Sequence, residues 1–385
     1  KYFMKIANIF ASYPNKYQPY NLSIIDVLKK SGHIVKIFSL SFSGKLDIET
    51  IYLFNNPSII KKLNCIIFDI SRLCKYKKYC NQTFRKVLIS YSRYRPLLYI
   101  RDYSLHIHHI QLIHGDFFRF LKYFGIEYVL SIRGSDIAIY SIANKVYKNN
   151  IMLALKNAHS IHTVSFDLSQ KVEEIINSND NIFVIPRYLE RKFIKRRLEN
   201  PNKSNNILSV GRYHWVKGYN YILEALAKVK EEEIQFSYVI CGDGNEEETK
   251  QLKYLINLHE LNDEVDLVGF INYNDISRYY SSADIYICGS LYEGMPNAVI
   301  NAIDHQISII ATSVGGIPEI IEDNINGLLC KPADSNDIRD KLFRILNNEW
   351  TPQFTESVQT LGTEEILKKY LDLYENLNNN SINLK

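Results

Sequence analysis

The chain has 385 residues, of which 46% are hydrophobic and 23% are charged, a balance typical of a globular protein with two domains and not of one disordered throughout. No apolar run approaches the ~20 residues that span a bilayer, and the amino end lacks the pattern of a secretory signal peptide. The six cysteines form no Cys-x-x-Cys pair, which favours reduced thiols in a cytosolic protein over disulfides or zinc ligands.

Charge is distributed unevenly along the chain. Residues 1–200 carry 31 Lys and Arg against 14 Asp and Glu, a net +17, whereas residues 201–385 carry 15 against 28, a net −13. The basic residues are densest between Lys61 and Arg101, where they alternate with the aromatic residues Tyr76, Tyr79, Phe84, Tyr91 and Tyr94. This pattern favours contact between the basic half and an anionic membrane surface. A solvated basic face is the alternative, and nucleic acid is disfavoured because no nucleic-acid-binding module accompanies the charge.

The first half alternates short apolar runs with amphipathic segments, which is typical of parallel βα units. Helices are predicted at Asn21–Ser31 and Phe117–Phe124. Strands are predicted at Met4–Phe10, Ile34–Leu40, Leu105–Ile110, Tyr128–Ile132 and Ser160–Val164.

The second half repeats the alternation more clearly, after a linker predicted at Glu190–Ser204. Strands are predicted at Ile207–Val210, Ser237–Cys241, Val265–Val268, Asp284–Cys288 and Ser308–Thr312. Helices are predicted at Tyr219–Val229, Glu246–Leu258, Asn274–Ser281, Pro296–Asp304 and Ile317–Ile321.

The last amphipathic segment, Thr363–Leu377, is expected to cross back onto the first domain. These patterns together predict an α/β protein with two Rossmann-like domains facing across a cleft. The first domain would comprise residues 1–190 with a C-terminal helix at 360–378, and the second would comprise residues 191–359.

Two strand-to-helix turns carry the residues with the clearest chemistry. The first runs from Gly211 through Arg212 and Lys217 to a second glycine, and the second begins at Glu293. The carboxyl ends of parallel strands meet at one edge of a sheet, where open α/β sheets bind ligands. Two cations facing a carboxylate there suit a ligand with both phosphates and hydroxyls, such as a nucleotide sugar. Glycine turns at Gly242-Asp243-Gly244 and Val314-Gly315-Gly316 would border the same crevice.

Over most of its length the chain resembles the family 4 glycosyltransferases, retaining enzymes of the GT-B architecture. Segment 209–226 is similar to that family's Gly-Arg-x4-Lys-Gly segment, 240–244 to its Gly-Asp-Gly turn, 293–301 to its Glu-x7-Glu signature and 315–320 to its Gly-Gly-x-Pro-Glu turn. Weaker similarities lie at 13–20, 31–35, 132–136 and 185–186.

The resemblance implies roles for individual residues. Arg212, Lys217 and Glu293 are the expected catalytic residues: the two cations would stabilise the diphosphate as it leaves, and the carboxylate would address the donor sugar. The remaining donor-binding residues would be Gly211, Gly242, Gly244, Gly294, Met295, Pro296, Asn297 and Asn301. The acceptor side of the cleft would contain Arg133, Asp136, Asn15 and His108.

Two positions depart from the family pattern. Asn301 stands where the second glutamate is expected, so its contact with the ribose would lack charge assistance. Arg133 stands where the family often has histidine, and its guanidinium cannot shuttle protons near neutral pH. It could face the ligand or serve as a structural partner of Asp136. His106, His108, His109 and His114 could be core or surface residues, acceptor contacts or metal ligands.

The sequence therefore predicts a retaining glycosyltransferase. It would move a hexose or N-acetylhexosamine from a nucleotide sugar, with UDP favoured, to a membrane-associated glycan or lipid-linked acceptor in cell-surface polysaccharide synthesis. We expect no cofactor and no essential metal, because no Asp-x-Asp pair follows an apolar strand. The expected location is the cytoplasm, peripheral to the inner face of the membrane. A non-catalytic sugar-nucleotide-binding protein, a nucleotide-sugar 2-epimerase and a peripheral membrane scaffold remain alternatives.

Overall fold

The computed structural model describes residues 3–12, 20–41, 50–53, 58–108, 115–140, 142, 144–186, 205–354 and 363–382. The chain divides into two compact units, Lys1–Tyr188 with Leu361–Lys385, and Leu189–Thr360. The predicted linker, Glu190–Ser204, lies outside the described residues.

The first unit is built on a seven-stranded parallel sheet with strand order β3-β2-β1-β4-β5-β6-β7. Its strands are β1 (Lys5–Ser12), β2 (Ile34–Ser41), β3 (Thr50–Tyr52), β4 (Ser104–Ile107), β5 (Tyr128–Ile132), β6 (Ser160–Thr163) and β7 (Ile182–Val184). Its first six helices are α1 (Tyr20–Lys30), α2 (Ile59–Cys80), α3 (Phe84–Tyr94), α4 (Gly115–Tyr123), α5 (Lys145–Asn157) and α6 (Phe166–Ile176). A 3₁₀ turn at Arg95–Tyr99 and a π-helical turn at Asp136–Tyr140 complete the connections.

An aromatic cluster joins three of these helices and corrects one sequence interpretation. Of the five aromatics that the sequence placed on the basic surface, Tyr79 and Phe84 are exposed, but Tyr76, Tyr91 and Tyr94 are fully buried. Their rings contact Phe120 of α4 at centroid distances of 5.6 to 6.0 Å. These tyrosines therefore anchor α2 and α3 to the unit and do not contribute to a docking surface.

The second unit has a six-stranded parallel sheet with strand order β10-β9-β8-β11-β12-β13. Its strands are β8 (Asn206–Val210), β9 (Ser237–Cys241), β10 (Val265–Gly269), β11 (Ile285–Cys288), β12 (Ser308–Thr312) and β13 (Leu328–Cys330). Its helices are α7 (Tyr219–Glu231), α8 (Glu246–Leu258), α9 (Tyr273–Ser282), α10 (Asn297–Asp304) and α11 (Ser335–Leu346). Trp215–Lys217 and Ile317–Glu319 are 3₁₀ turns, so the segment predicted as a helix at 317–321 is only a short turn.

Both faces of this sheet are covered, which explains its continuous apolar strands. Along β11, Ile285 and Ile287 pack into the apolar cluster on one side of the sheet, whereas Tyr286 and Cys288 pack into the cluster on the other. Parallel sheets buried on both faces need such unbroken runs because successive side chains point in opposite directions.

The last described element is helix α12 (Thr363–Ile382), which belongs to the first unit. Its buried side chains Ile366, Leu373 and Leu377 pack in a cluster with Ile6 of β1 and Val129 of β5. The predicted return of the tail to the first domain is therefore observed, and the helix extends five residues beyond the predicted Leu377.

Candidate functional site

The strand order of the second unit places the two chemically distinctive turns side by side. β8 and β11 are neighbours, and the order of the sheet reverses between them, because β9 follows β8 on one side and β12 follows β11 on the other. This is the position at which open α/β sheets form a ligand crevice. The turn after β8 contains Arg212 and Lys217, and the turn after β11 leads to Glu293.

The centre of the site is an ion pair between Lys217 and Glu293, which are 76 positions apart. The Lys217 ammonium donates to Oε1 of Glu293 at 2.5 Å, and the two side chains are only 24% and 14% exposed. The Ser290 hydroxyl donates to the same oxygen at 2.9 Å. Thr312 in turn donates to the Ser290 carbonyl at 2.5 Å. Neither bond to Glu293 uses its second carboxylate oxygen, Oε2.

The protonation of Lys217 follows from this pairing. Burial alone lowers the pKa of a lysine, but the opposing charge and hydrogen bond of Glu293 outweigh burial, so the pKa of Lys217 lies above its usual value. The side chain is therefore a permanent cation at neutral pH. Arg212, on the same turn, is exposed to solvent. Burial of the ring, followed by the charge of Arg212, lowers the pKa of the neighbouring His214.

Two glycines allow the backbone of these turns to approach closely. A Cβ on Gly242 would lie 1.8 Å from the carbonyl oxygen of Gly211, and one on Gly315 would lie 1.6 Å from the carbonyl oxygen of Glu293. Gly315 also has a φ of +55°, which other residues adopt only at a cost. The glycine turns predicted to border the crevice therefore do contact the cationic turn and the glutamate turn.

The glutamate turn leads directly into a helix amino end. Helix α10 begins at Asn297, and the N–H groups of Val299 and Ile300 donate to the Pro296 carbonyl. The N–H groups of Asn297 and Ala298 precede these bonds, at the positive end of the helix dipole, and have no backbone acceptor among the described residues. Gly294, Met295 and Pro296 precede it and are buried, whereas Asn301 lies one turn into the helix and is half-buried. This is the geometry with which helices bind anions.

In the first unit, three predicted acceptor-side residues lie together. The Arg133 guanidinium donates to Nδ1 of His108 at 2.9 Å, and Nε2 of His108 lies 2.9 Å from the side-chain oxygen of Asn8. His108 is therefore held as the neutral tautomer with its proton on Nε2. The Arg133 backbone N–H donates to the Asp136 carboxylate at 3.2 Å. The fourth predicted residue, Asn15, lies outside the described residues, as do His109 and His114.

The sequence did not predict a second buried network in this unit. His106 bonds Tyr374 of α12 at 2.8 Å and Ser131 at 2.7 Å, and Ser131 bonds His162 at 2.7 Å. Burial, followed by the charges of His162 and Arg133, lowers the pKa of His106 well below its usual value. This hydrogen-bond network ties the C-terminal helix to strands β4, β5 and β6.

Ser290 and Thr312 are the site residues that the sequence did not reveal. The Ser290 hydroxyl donates to Glu293 within the same turn, and Thr312, at the end of the neighbouring strand β12, donates to the Ser290 carbonyl. Only their positions after β11 and at the end of β12 could have suggested them. Among the described residues, no group of three or more His, Cys, Asp or Glu side chains is arranged to hold a metal ion. Nor does any described helix have the length and apolar character needed to cross a membrane.

The sequence of this chain is similar to those of glycosyltransferases. The sequence model described as Glycosyl transferases group 1 matches residues 190–362. An uncharacterized glycosyltransferase of Methanocaldococcus jannaschii is 26% identical over 277 residues, which cover 67% of this chain and 69% of that protein. The amylovoran biosynthesis glycosyltransferase AmsK of Erwinia amylovora is 36% identical over 149 residues, which cover 37% of this chain and 36% of that protein.

A solved structure extends the likeness to nearly the whole chain. Anabaena HepE, crystallised in complex with UDP-glucose, matches 98% of this chain and 100% of its own, with a TM-score of 0.74 and 15% identity. At this identity the likeness establishes the fold, so the prediction of two Rossmann-like units is confirmed.

Proposed function

We propose that this chain, which has the GT-B fold and whose residues 190–362 match the Glycosyl transferases group 1 model, is a glycosyltransferase that transfers a hexose or N-acetylhexosamine from a nucleoside-diphosphate sugar to a glycan or lipid-linked acceptor. The observation that carries the proposal is the Lys217–Glu293 ion pair at the point where the strand order of the second sheet reverses. A permanent cation, an exposed arginine and a helix amino end converge there.

The cations account for departure of the leaving group. When the glycosidic bond of a nucleotide sugar breaks, negative charge develops on the oxygen of the distal phosphate. Lys217 remains protonated, and Arg212 is exposed on the same turn, so both can neutralise this charge. The N–H groups that open α10 would bind the same phosphate or a sugar hydroxyl.

Glu293 serves as a positioning and sugar-binding group in this proposal. Its Oε1 holds the Lys217 ammonium, while Oε2 can accept a hydrogen bond from a sugar hydroxyl. A carboxylate that is ion-paired with lysine is a weakened nucleophile, which argues against a covalent sugar intermediate on Glu293. Retention of configuration is what the resemblance to the family 4 enzymes implies, and without a covalent intermediate it requires attack on the face from which the diphosphate leaves.

Several observations support a finer assignment of substrates. HepE was crystallised with UDP-glucose, which supports a UDP-sugar donor for this chain. AmsK acts in amylovoran biosynthesis, which supports a role in cell-surface polysaccharide synthesis. The buried Arg133–His108 pair and Asp136 lie in the first unit, where we propose that the acceptor binds. A cytoplasmic enzyme at an anionic membrane surface would meet a lipid-linked acceptor of this kind.

Thermal unfolding in the presence of UDP, GDP, ADP and their sugars tests the donor assignment. A nucleotide present at about 100 times its dissociation constant stabilises a protein by about 2.7 kcal/mol. We expect UDP and UDP-sugars to give the largest shift, and Lys217→Ala to abolish it. Arg212→Ala is the more informative variant, because this exposed side chain can be removed without breaking the Lys217–Glu293 pair.

Three measurements can contradict parts of this proposal. If no nucleotide shifts the transition, or if both alanine variants respond as the wild type does, the donor site lies elsewhere. Release of UDP that increases when acceptor glycans are added separates transfer from epimerisation. The anomeric configuration of the product, read by proton NMR, tests retention.

A further inference from the structure

Helix α2 (Ile59–Cys80) presents an apolar surface to solvent. Its opposite face is fixed, because Cys65, Asp69, Leu73 and Tyr76 are buried against the rest of the first unit. The outward face of its first half is nevertheless apolar. Lys61 is exposed there as well. The exposed apolar residues, with their exposed fractions, are Ile59 (74%), Ile60 (71%), Leu63 (49%), Ile67 (66%), Phe68 (70%) and Ile70 (46%).

The second half of the same helix is cationic. A non-helical residue, Asp69, separates the two halves. Beyond it, the exposed side chains include Arg72, Lys75, Lys77 and Lys78. The surface thus combines an apolar end with a basic end, along a helix about 33 Å long at 1.5 Å per residue.

Negative charge is absent from the described outer surface of this region. Residues 50–101 contain one acidic residue, Asp69. Its carboxylate is buried and ion-paired with Arg95. Arg72 also lies 3.6 Å from that carboxylate. Among the described residues, Lys75, Lys77 and Lys78 form no ion pair and are exposed, so their charge is available to an anionic surface.

We propose that this face of α2 lies in the interface of an anionic lipid membrane, with the apolar half inserted below the headgroups and the cationic half in contact with lipid phosphates. This inference rests on the proposed function and names the surface that reaches the membrane. A helix that is apolar on one exposed flank and rich in lysine suits an in-plane position. A second copy of the chain suits it less well, since an isologous contact brings identical cations together.

Sedimentation of the full-length protein with vesicles tests the proposal. Three preparations are compared: the wild type, an apolar variant (Leu63→Gln, Ile67→Gln and Phe68→Gln) and a cation variant (Lys75→Gln, Lys77→Gln and Lys78→Gln). The matched control is Tyr254→Gln with Leu258→Gln on α8 of the second unit, whose side chains are also exposed, at 63% and 56%. All of these positions point to solvent, so the fold should tolerate the changes.

We expect the wild type to bind vesicles of phosphatidylglycerol with phosphatidylcholine more strongly than phosphatidylcholine alone. The apolar variant should bind the mixed vesicles on the order of 100-fold more weakly. The cation variant should lose the preference for anionic lipid, and the control should behave as the wild type. Raised salt should weaken binding of the wild type only partly, because the apolar contribution is not screened.

A fluorescence measurement detects insertion directly. Phe68→Trp should shift its emission to the blue when mixed vesicles are added, whereas Tyr254→Trp should not. The proposal is overturned if the apolar variant binds as the wild type does, or if light scattering shows a wild-type dimer that becomes monomeric in the apolar variant. UDP-induced stabilisation is measured on the same samples. If it persists while vesicle binding is absent, the membrane inference fails and the donor assignment stands.

Discussion

Glu293→Gln should weaken the fold and strengthen nucleotide binding at the same time. At 2.5 Å the Coulomb attraction between Lys217 and Glu293 has an upper bound of about 7 kcal/mol at an effective dielectric constant near 20. Both side chains keep some contact with water, and the amide oxygen of glutamine still accepts from the lysine. We therefore expect a loss of about 1–3 kcal/mol in the free energy of unfolding, below the 3–5 typical of a fully buried pair. For a unit of this size that corresponds to a fall in Tm of roughly 5 °C.

Nucleotide binding should change in the opposite direction. A diphosphate competes with the Glu293 carboxylate for the Lys217 ammonium, so removal of that carboxylate frees the cation. We expect UDP to bind about 5–10-fold more tightly, the equivalent of about 1 kcal/mol. Hydrolysis or transfer of the sugar should nevertheless fall by ~100-fold or more, because the contact with the sugar hydroxyl loses its charge.

Calorimetric titration with UDP and thermal unfolding without ligand measure the two effects separately. Ser290→Ala is the control, since it removes the other hydrogen bond to Oε1 without changing charge. The reasoning is refuted if Glu293→Gln unfolds at the wild-type temperature, or if it binds UDP more weakly than the wild type does.

Three further predictions concern other parts of the molecule. Gly315→Ala should lower the free energy of unfolding by more than ~2 kcal/mol, because its Cβ would meet the Glu293 carbonyl at a positive φ; denaturant titration measures this, and wild-type stability would contradict it. Because the pKa of His106 is lowered in the folded chain, the unfolded chain binds more protons below pH ~6.5, so stability should decrease as the pH falls through that value, by up to ~1.4 kcal/mol per unit. His106→Gln should reduce this dependence of the unfolding free energy on pH, as measured by urea titrations at several pH values. If the dependence is unchanged, it arises from other titrating groups. Asn301→Glu should tighten UDP-sugar binding by about 5–10-fold, because a carboxylate would add charge assistance to the contact with the ribose. Calorimetric titration measures this, with the uncharged Asn301→Gln as the control. If Asn301→Glu binds no more tightly than the control, residue 301 does not contact the ribose.

Much of the second unit could be predicted from local patterns. The strands Ser237–Cys241 and Ser308–Thr312 and the helix Glu246–Leu258 have the bounds that the sequence predicts. The helix is delimited by a capping box in which Asn245 and Glu248 bond each other's backbone N–H. Capping signals of this kind involve residues only a few positions apart, so they can be recognised in the sequence without knowledge of the fold.

The first unit was harder to predict, because the sequence of its long helix α2 does not indicate which face packs against the core. Helix α2 has apolar residues all round the first half of its length, and no periodic stripe marked the face that packs. Three of the tyrosines that the sequence suggested for a membrane surface turned out to be core residues, while Ile60, Ile67 and Phe68 were exposed instead. Only the contacts of α2 with α3 and α4 decide this choice.

The amino-acid sequence by itself determined the alternation of strands and helices, the glycines that permit close turns, and the cations and carboxylate available at the ends of two strands. Those properties depend on neighbouring residues and on side-chain chemistry. The tertiary structure alone decided that Lys217 pairs with Glu293, that Arg212 stays exposed and that His106 is buried beside Tyr374. Each of those outcomes depends on which strands and helices become neighbours, and chain segments tens to hundreds of residues apart meet only when the sheet order brings them together.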